Sequence, residues 1–162
     1  MTVILGIDPG LQNTGWGVII AQGNALSFVA CGVIKSEAKA DMSARLMQLH
    51  DGLQSVVDEF APDAAAVEEV FINKNARSSL KLGQARGIAL LVPSLAGVEV
   101  AEYSALAVKQ SVVGYGRADK NQIAHMVKML LPKATPKTAD AADALAVAIT
   151  HAHNMKALRL AS

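Results

Sequence analysis

Four acidic residues stand where an acidic side chain is costly unless it has a function. Asp8 ends the apolar run 3–8, and Glu68 lies inside the apolar run 64–70. Asp140 and Asp143 lie three residues apart in an alanine-rich stretch, so on a helix they project from one face, among small neighbours. Three of them have a structural alternative: a turn would explain Asp8, and a helix N-terminus favours Asp140 and Asp143. For the fourth, alternation along the strand from Ala66 places either Glu68 or Glu69 inward, so one of the two must face the interior.

Taken together, the four acids predict a metal site. If the strand ends meet the last helix, the four carboxylates share one place, and two like charges about 4 Å apart repel by about 4 kcal/mol at an effective dielectric of about 20. Such a cluster needs either a cation or protonation. Oxygen ligands favour Mg²⁺ or Mn²⁺ over zinc or copper. Two such ions can clamp the attacking and leaving oxygens of a phosphoryl transfer.

The elements that must position these acids follow from the hydrophobic pattern. We expect an α/β fold, a mixed sheet flanked by helices, opening with a three-strand antiparallel meander that turns at Gly23-Asn24. Thr138 is a candidate N-cap for the last helix. The predicted strands are 3–8, 15–21, 26–34, 64–70 and 98–102, and the predicted helices are 42–60, 76–92, 104–113, 120–131 and 138–155.

Length and composition exclude several classes of protein. The chain has 162 residues, which predicts a single domain, 1–155, followed by a short tail, 156–162. Apolar residues make up 52% and charged residues 18%, which excludes a disordered chain. The apolar runs are too short for a membrane span, and the lone Cys31 excludes an intrachain disulfide and a multi-cysteine zinc site. With no signal-peptide pattern, we expect a soluble, cytoplasmic protein with no membrane partner.

Charge is unevenly divided along the chain. Residues 1–72 carry a net charge of −6 and residues 73–162 a net charge of +7, which favours a polyanion partner, although chance scatter over solvated faces stays open. Phe71 offers a stacking surface beside the phosphate donors of a helix start, and a core phenylalanine is the alternative. The candidate basic contacts are Lys74, Arg77, Lys81, Lys109, Arg117 and Lys120.

A set of motifs in order resembles the RuvC family of bacterial Holliday junction endonucleases, from about residue 2 to about residue 155. The matching motifs are Gly6-Ile-Asp-Pro-Gly10, Thr14-Gly-Trp-Gly17, Val67-Glu-Glu-Val-Phe71, Leu82-Gly-Gln-Ala-Arg-Gly87, Val108-Lys-Gln-Ser-Val-Val-Gly114 and Ala139-Asp-Ala-Ala-Asp-Ala-Leu145. The resemblance implies a ribonuclease H-like fold with a five-stranded mixed sheet. It also implies a homodimer that resolves four-way junction DNA in recombination and repair, with RuvA and RuvB as partners.

The resemblance also implies roles for single residues. Asp8, Glu68, Asp140 and Asp143 match catalytic, metal-binding acids, which would use Mg²⁺, replaceable by Mn²⁺, as two ions per site. Phe71 matches an aromatic residue that engages bases near the crossover. Lys109 and Lys120 match lysines associated with the scissile phosphate or the DNA backbone.

Two other functions compete with this one. Another ribonuclease H-like nuclease, acting on RNA or an RNA–DNA hybrid, would use the same carboxylates. An actin-like nucleotide-binding domain would use 6–17 as a phosphate loop, but it needs a second subdomain that 162 residues cannot hold. A substrate panel of four-way junction, duplex DNA, RNA–DNA hybrid and structured RNA separates the two nuclease functions.

Overall fold

A five-stranded mixed sheet organises the chain in a computed structural model that describes residues 1–69, 74–114 and 116–161. The strands lie in the order β3-β2-β1-β4-β5, with β1, β2 and β3 antiparallel and β4 and β5 parallel to β1. Their bounds are Thr2–Asp8, Asn13–Gln22, Ala25–Lys35, Ala64–Glu68 and Glu99–Tyr103 for β1 to β5. The predicted mixed sheet with its opening meander is therefore confirmed.

Five helices cover the two faces of the sheet. Their bounds are Met42–Phe60, Ala76–Leu95, Ala105–Val113, Lys120–Leu130 and Ala139–Ala161 for α1 to α5. One apolar core joins α3, α4 and α5 to one face, and a second joins α1 and α2 to the other. Ile4 belongs to the first core and Leu5 to the second, as the alternation along a strand requires.

The predicted elements agree with the structure except at their ends. The strand after α1 ends at Glu68 rather than at 70, so Glu69 follows the strand. Helix α2 extends past the predicted end at 92 through Pro93 to Leu95. The burial of Val92 and Pro93 offsets the backbone hydrogen bond that the proline cannot make. Helix α5 extends past the predicted end at 155 and reaches Ala161, while the division into a domain and a tail stays a prediction.

Helix α5 lies directly on β1 and β2 because three strand positions lack a side chain. A Cβ atom on Gly6 would lie 2.7 Å from the backbone nitrogen of Ala148, and one on Gly17 would lie 2.7 Å from a methyl carbon of Leu145. A Cβ atom on Gly15 would collide with the carbonyl oxygen of Asp140. The alanine-rich sequence of α5 completes this contact, since Ala144 and Ala148 are fully buried.

No helix in the described part of the chain is long and apolar enough to cross a membrane.

We predict that Gly15→Ala destabilises the protein by about 1–3 kcal/mol, because the new methyl group forces α5 away from β2. Denaturant unfolding measures this loss. Ser27→Ala, which places an alanine at an exposed strand position, is the matched control and should change the free energy of unfolding little. Equal stability of Gly15→Ala and the wild type would contradict the close packing of α5.

Candidate active site

Two of the predicted acids end neighbouring parallel strands. Ile7 of β1 pairs in register with Val67 of β4, so Asp8 and Glu68 are the next residues along each strand. The alternation of the pleat points both toward α5, since Ala66 packs in the core on that side. The two carboxyl groups lie close enough that each shifts the pKa of the other. The sequence left open whether Glu68 or Glu69 faces inward, and the structure places Glu68 half-buried and Glu69 exposed.

The other two acids come from the first turns of α5. The Thr138 hydroxyl accepts a hydrogen bond from the backbone N–H of Ala141 at 3.2 Å, which confirms the predicted N-cap. The contact of Gly15 with the Asp140 backbone sets the height of this helix above the sheet. Asp140 and Asp143 therefore line the same cleft as Asp8 and Glu68, a cavity of about 640 Å³.

Burial and mutual repulsion make the cleft unfavourable for free carboxylates. Burial, followed by the negative charge and hydrogen bond of Glu68 and the charges of Asp143 and Asp140, raises the pKa of Asp8 to about 8. Burial also raises the pKa of Glu68, and the charge of Asp143 adds to it. The pKa of Asp143 is raised by burial and by Asp140. In the absence of a cation the site therefore holds at least one proton near neutral pH.

Two lysines from different helices partly offset this charge. Lys109 of α3 and Lys120, the first residue of α4, line the same cleft. Both lower the pKa of Glu68, and Lys120 also lowers the pKa of Asp143. The cleft therefore combines the four predicted acids, and Asp119 at the start of α4, with two cationic side chains. This set fits a divalent ion and a phosphate group together.

The acidic side chains of the cleft offer carboxylate oxygen ligands, which suit a hard divalent cation. Burial, and then the charges of the neighbouring acids, raise the pKa of Asp8, and a cation in the cleft would offset both effects. Within residues 1–69, 74–114 and 116–161, no three histidine, cysteine or acidic side chains stand in a ready-made metal-binding arrangement. Sharing one ion among three of these carboxylates therefore requires side-chain rotation toward it.

The other predicted contact residues lie outside the cleft lining. Lys74, Arg77 and Lys81 are exposed around the start of α2, where the Asn75 side chain accepts hydrogen bonds from the N–H groups of Arg77 and Ser78. Arg117 is exposed before α4. Phe71 lies outside the described residues, so its predicted stacking role stays a prediction.

A capping box at the start of α4 positions Lys120, and this motif is not among the features predicted from the sequence. The Asp119 side chain accepts from the backbone N–H of Gln122 at 2.8 Å, and the Gln122 side chain accepts from the N–H of Asp119 at 2.9 Å. An aspartate followed by glutamine three residues later is a recognisable sequence signal for this motif.

A second positioning contact carries no sequence signal. The hydroxyl of Tyr103, which pairs in register with Glu68, lies 2.8 Å from Nδ1 of His151 on α5. Ser111 of α3 makes a similar contact with His153 at 3.0 Å. These bonds join α5 to β5 and α3.

A family model and relatives that align over nearly the whole chain identify the same family. The family model for the crossover junction endodeoxyribonuclease RuvC matches residues 4–151. The RuvC of Afipia carboxidovorans is 59% identical over 97% of this chain and 92% of its own length. The RuvC of Paramagnetospirillum magneticum is 62% identical over 93% of this chain and 91% of its own length.

The solved structures include a relative bound to its substrate. The structure of T. thermophilus RuvC in complex with a Holliday junction substrate superposes with a TM-score of 0.91 at 34% identity. It covers 97% of this chain and 96% of the other. The ribonuclease H-like architecture expected from the sequence motifs is thereby confirmed.

We predict that the metal-free protein loses stability as the pH rises from about 4 to about 8. The Asp8 carboxyl has its ordinary pKa of 3.8 when the chain is unfolded and a pKa of about 8 when it is folded, so the folded state binds the proton more tightly across that window. Thermal unfolding in EDTA should show this decline, and Asp8→Asn should flatten it.

Glu59→Gln is the matched control, because Glu59 is exposed on α1. It should follow the wild-type pH dependence. If the stability of Asp8→Asn fell with rising pH as steeply as that of the wild type, the stability loss would not come from the carboxylate cluster.

Proposed function

The chain belongs to the RuvC family of crossover junction endodeoxyribonucleases, and from this premise we propose that the cleft between β1, β4 and α5 is where it cuts four-way junction DNA. The observation that carries the proposal is the convergence of Asp8, Glu68, Asp140 and Asp143 on one cavity. No apolar packing role accounts for four acids there, since burial raises the pKa of three of them.

The four acids would hold Mg²⁺, or Mn²⁺ in its place, as two ions per site. When bound, such ions lower the pKa of a water molecule and stabilise the leaving oxygen of an in-line displacement. The carboxylates of Asp8 and Glu68, on adjacent strands, fix one side of the site, and the two acids of α5 fix the other. The raised pKa of Asp8 makes proton release part of cation binding at neutral pH.

The two lysines of the cleft would contact the scissile phosphate rather than the cation. Lys109 and Lys120 lie on the side of the cavity formed by α3 and α4, so a scissile phosphate between them and the carboxylates meets positive charge on that side. We place Lys74, Arg77, Lys81 and Arg117 on the DNA backbone outside the cleft, because their side chains are exposed there. Phe71 follows Glu68 closely in sequence, which supports base contact near the crossover.

Family membership favours junction DNA over an RNA or RNA–DNA hybrid substrate. The panel of four-way junction, duplex DNA, RNA–DNA hybrid and structured RNA tests this choice with Mg²⁺ present. Preferential cleavage of the junction supports the proposal, and preferential cleavage of the hybrid would replace it with the general nuclease. The family resemblance alone supports RuvA and RuvB as partners in recombination and repair.

A homodimer would supply the two active sites that paired nicking requires. Helix α2 presents a second apolar face, opposite its buried one, with Leu80, Leu91 and Leu95 at 67%, 47% and 67% exposure. Gly83 and Gly87 lie on the same stripe, and a Cβ atom on either would meet nothing within 4 Å in this chain. A second copy of α2 could approach this smooth face closely, related by a two-fold axis.

We predict that Glu68→Gln and Asp140→Asn abolish cleavage and leave junction binding intact. The amide keeps the shape but removes the charge that holds the cation, and the loss should exceed the about 10–100-fold typical of residues that only support a ligand. Gel-based cleavage and filter binding with Mg²⁺ measure both effects. Cleavage by Glu68→Gln near the wild-type rate would show that the cluster is not catalytic.

We predict that Lys109→Gln and Lys120→Gln lower the single-turnover rate at saturating junction as well as the affinity. A lysine that meets only phosphate weakens binding and reduces the salt slope by about one, without changing that rate. Lys156→Gln is the matched control, because Lys156 is exposed near the far end of α5. Equal, binding-only defects in all three variants would remove any catalytic role from Lys109 and Lys120.

We predict a dimer in solution that makes paired nicks at related positions, leaving 5′-phosphate and 3′-hydroxyl ends. Leu91→Arg should produce a monomer and uncouple the two nicks, because it places a charge on the exposed apolar face of α2. Met47→Arg is the control, since Met47 is also exposed at 59% but lies on α1. Light scattering measures the oligomeric state, and sequencing-gel mapping locates the nicks. A wild-type monomer at micromolar concentration that nicks one strand would contradict the dimer.

A further inference from the structure

A second cationic surface leads away from the cleft along α4 and the segment that connects it to α5. Residues 120–139 contain four lysines and one histidine and no acidic residue. Three of these lysines lie beyond the cleft lining, at 128, 133 and 137, and all three are exposed. We name Lys128, Lys133 and Lys137 the distal lysines.

The distal lysines carry charge that the chain leaves uncompensated. In the described ranges the salt bridges are His50–Asp51 and Arg86–Glu102, so no described acidic side chain pairs with a distal lysine. Unpaired lysines concentrated on one segment produce a local positive potential, even in a chain whose net charge is +1.

The backbone that presents the distal lysines is held in place. Leu131 is fully buried and Ala134 is 5% exposed, so the connecting segment is anchored to the core at two points between the lysines. The N–H of Ala134 donates a hydrogen bond to the carbonyl of Leu131 at 2.9 Å. Pro132 and Pro136 restrict the backbone angles at two further positions of the segment. Because this backbone is already ordered, binding costs less conformational entropy.

The path of the segment links these lysines to the active site. Helix α4 begins at Lys120, which lines the cleft, and Lys128 is not part of that lining. Lys128 lies about 12 Å from Lys120 along the helix axis, at about 1.5 Å per residue. The chain then returns, and Lys137 immediately precedes the Thr138 cap of α5, three residues before Asp140. Beside this return lies a groove of about 460 Å³ between β3 and residues Thr135, Lys137 and Thr138.

We infer that the distal lysines form a second DNA-backbone contact, which binds phosphates of a junction arm outside the cleft. A separation of about 12 Å corresponds to about three or four base pairs at about 3.4 Å per step, so a duplex that enters the cleft extends over this surface. This inference rests on the proposed function, since it assigns a further contact to the same substrate. The distal lysines increase affinity and do not take part in the chemical step.

The test compares the triple variant Lys128→Gln/Lys133→Gln/Lys137→Gln with the wild type in EDTA, where binding is read without cleavage. Each lost phosphate contact reduces the salt slope by about 0.9, so the triple variant should lose about 2–3 from the slope. Lys133→Gln alone should lose about one, and Lys156→Gln should lose none. At saturating junction with Mg²⁺, the single-turnover rate of the triple variant should match that of the wild type within about twofold.

Neutral methylphosphonates at about three to six nucleotides from the cut locate the contact. They should weaken wild-type binding and have little further effect on the triple variant, because the same ion pairs are already lost. A wild-type salt slope in the triple variant, or equal methylphosphonate effects in both proteins, would overturn the inference. Failure of the wild type to bind junction would instead count against the proposed function.

Discussion

The close contact between α5 and the sheet is the constraint on which the rest of the structure depends. At Gly15 the backbone of α5 occupies the space that a strand side chain would fill, and at Gly6 the alanines of the helix approach just as closely. Glycine weakens a strand, so these positions are costly for β1 and β2 taken alone. In return, two acids on the helix come within the same cavity as the two acids on the strand ends. A larger residue at Gly15 would separate the two pairs.

This arrangement concentrates negative charge in the cleft, which destabilises the protein when no cation is bound. Asp8 has a pKa of about 8 because the site is buried and three other carboxylates lie around it. Lys109 and Lys120 offset only part of that charge for Glu68. The remainder is what a divalent cation would supply, so the feature that lowers stability without a cation is the feature that would bind one.

Much of the fold and of the site follows from the sequence, because strong local signals agree. The Gly23-Asn24 turn, the apolar periodicity of α1 and the Thr138 cap all lie where the pattern predicts. The four acids stand out because acids are rare in apolar runs and alanine-rich helices. The order of the motifs along the chain is what makes the family recognisable.

The rest depends on long-range contacts that leave no local pattern. Nothing in the sequence around Tyr103 or His151 pairs them, because their 2.8 Å contact joins residues 48 apart. Helix α2 has two apolar faces, so periodicity alone does not say which one faces the sheet. Its extension past Pro93 is also a tertiary effect, since Val92 and Pro93 are buried in the packed end of the helix.

Direct observation of the cation tests the central claim, that close packing of α5 assembles four carboxylates into one metal site. Crystals soaked in Mn²⁺ and measured at its absorption edge would locate the ion without depending on activity. We expect anomalous density between Asp8, Glu68 and the two acids of α5, and its loss in Glu68→Gln. Mn²⁺ bound elsewhere, or a cleft that stays empty at saturating Mn²⁺ with the acids still together, would contradict this account.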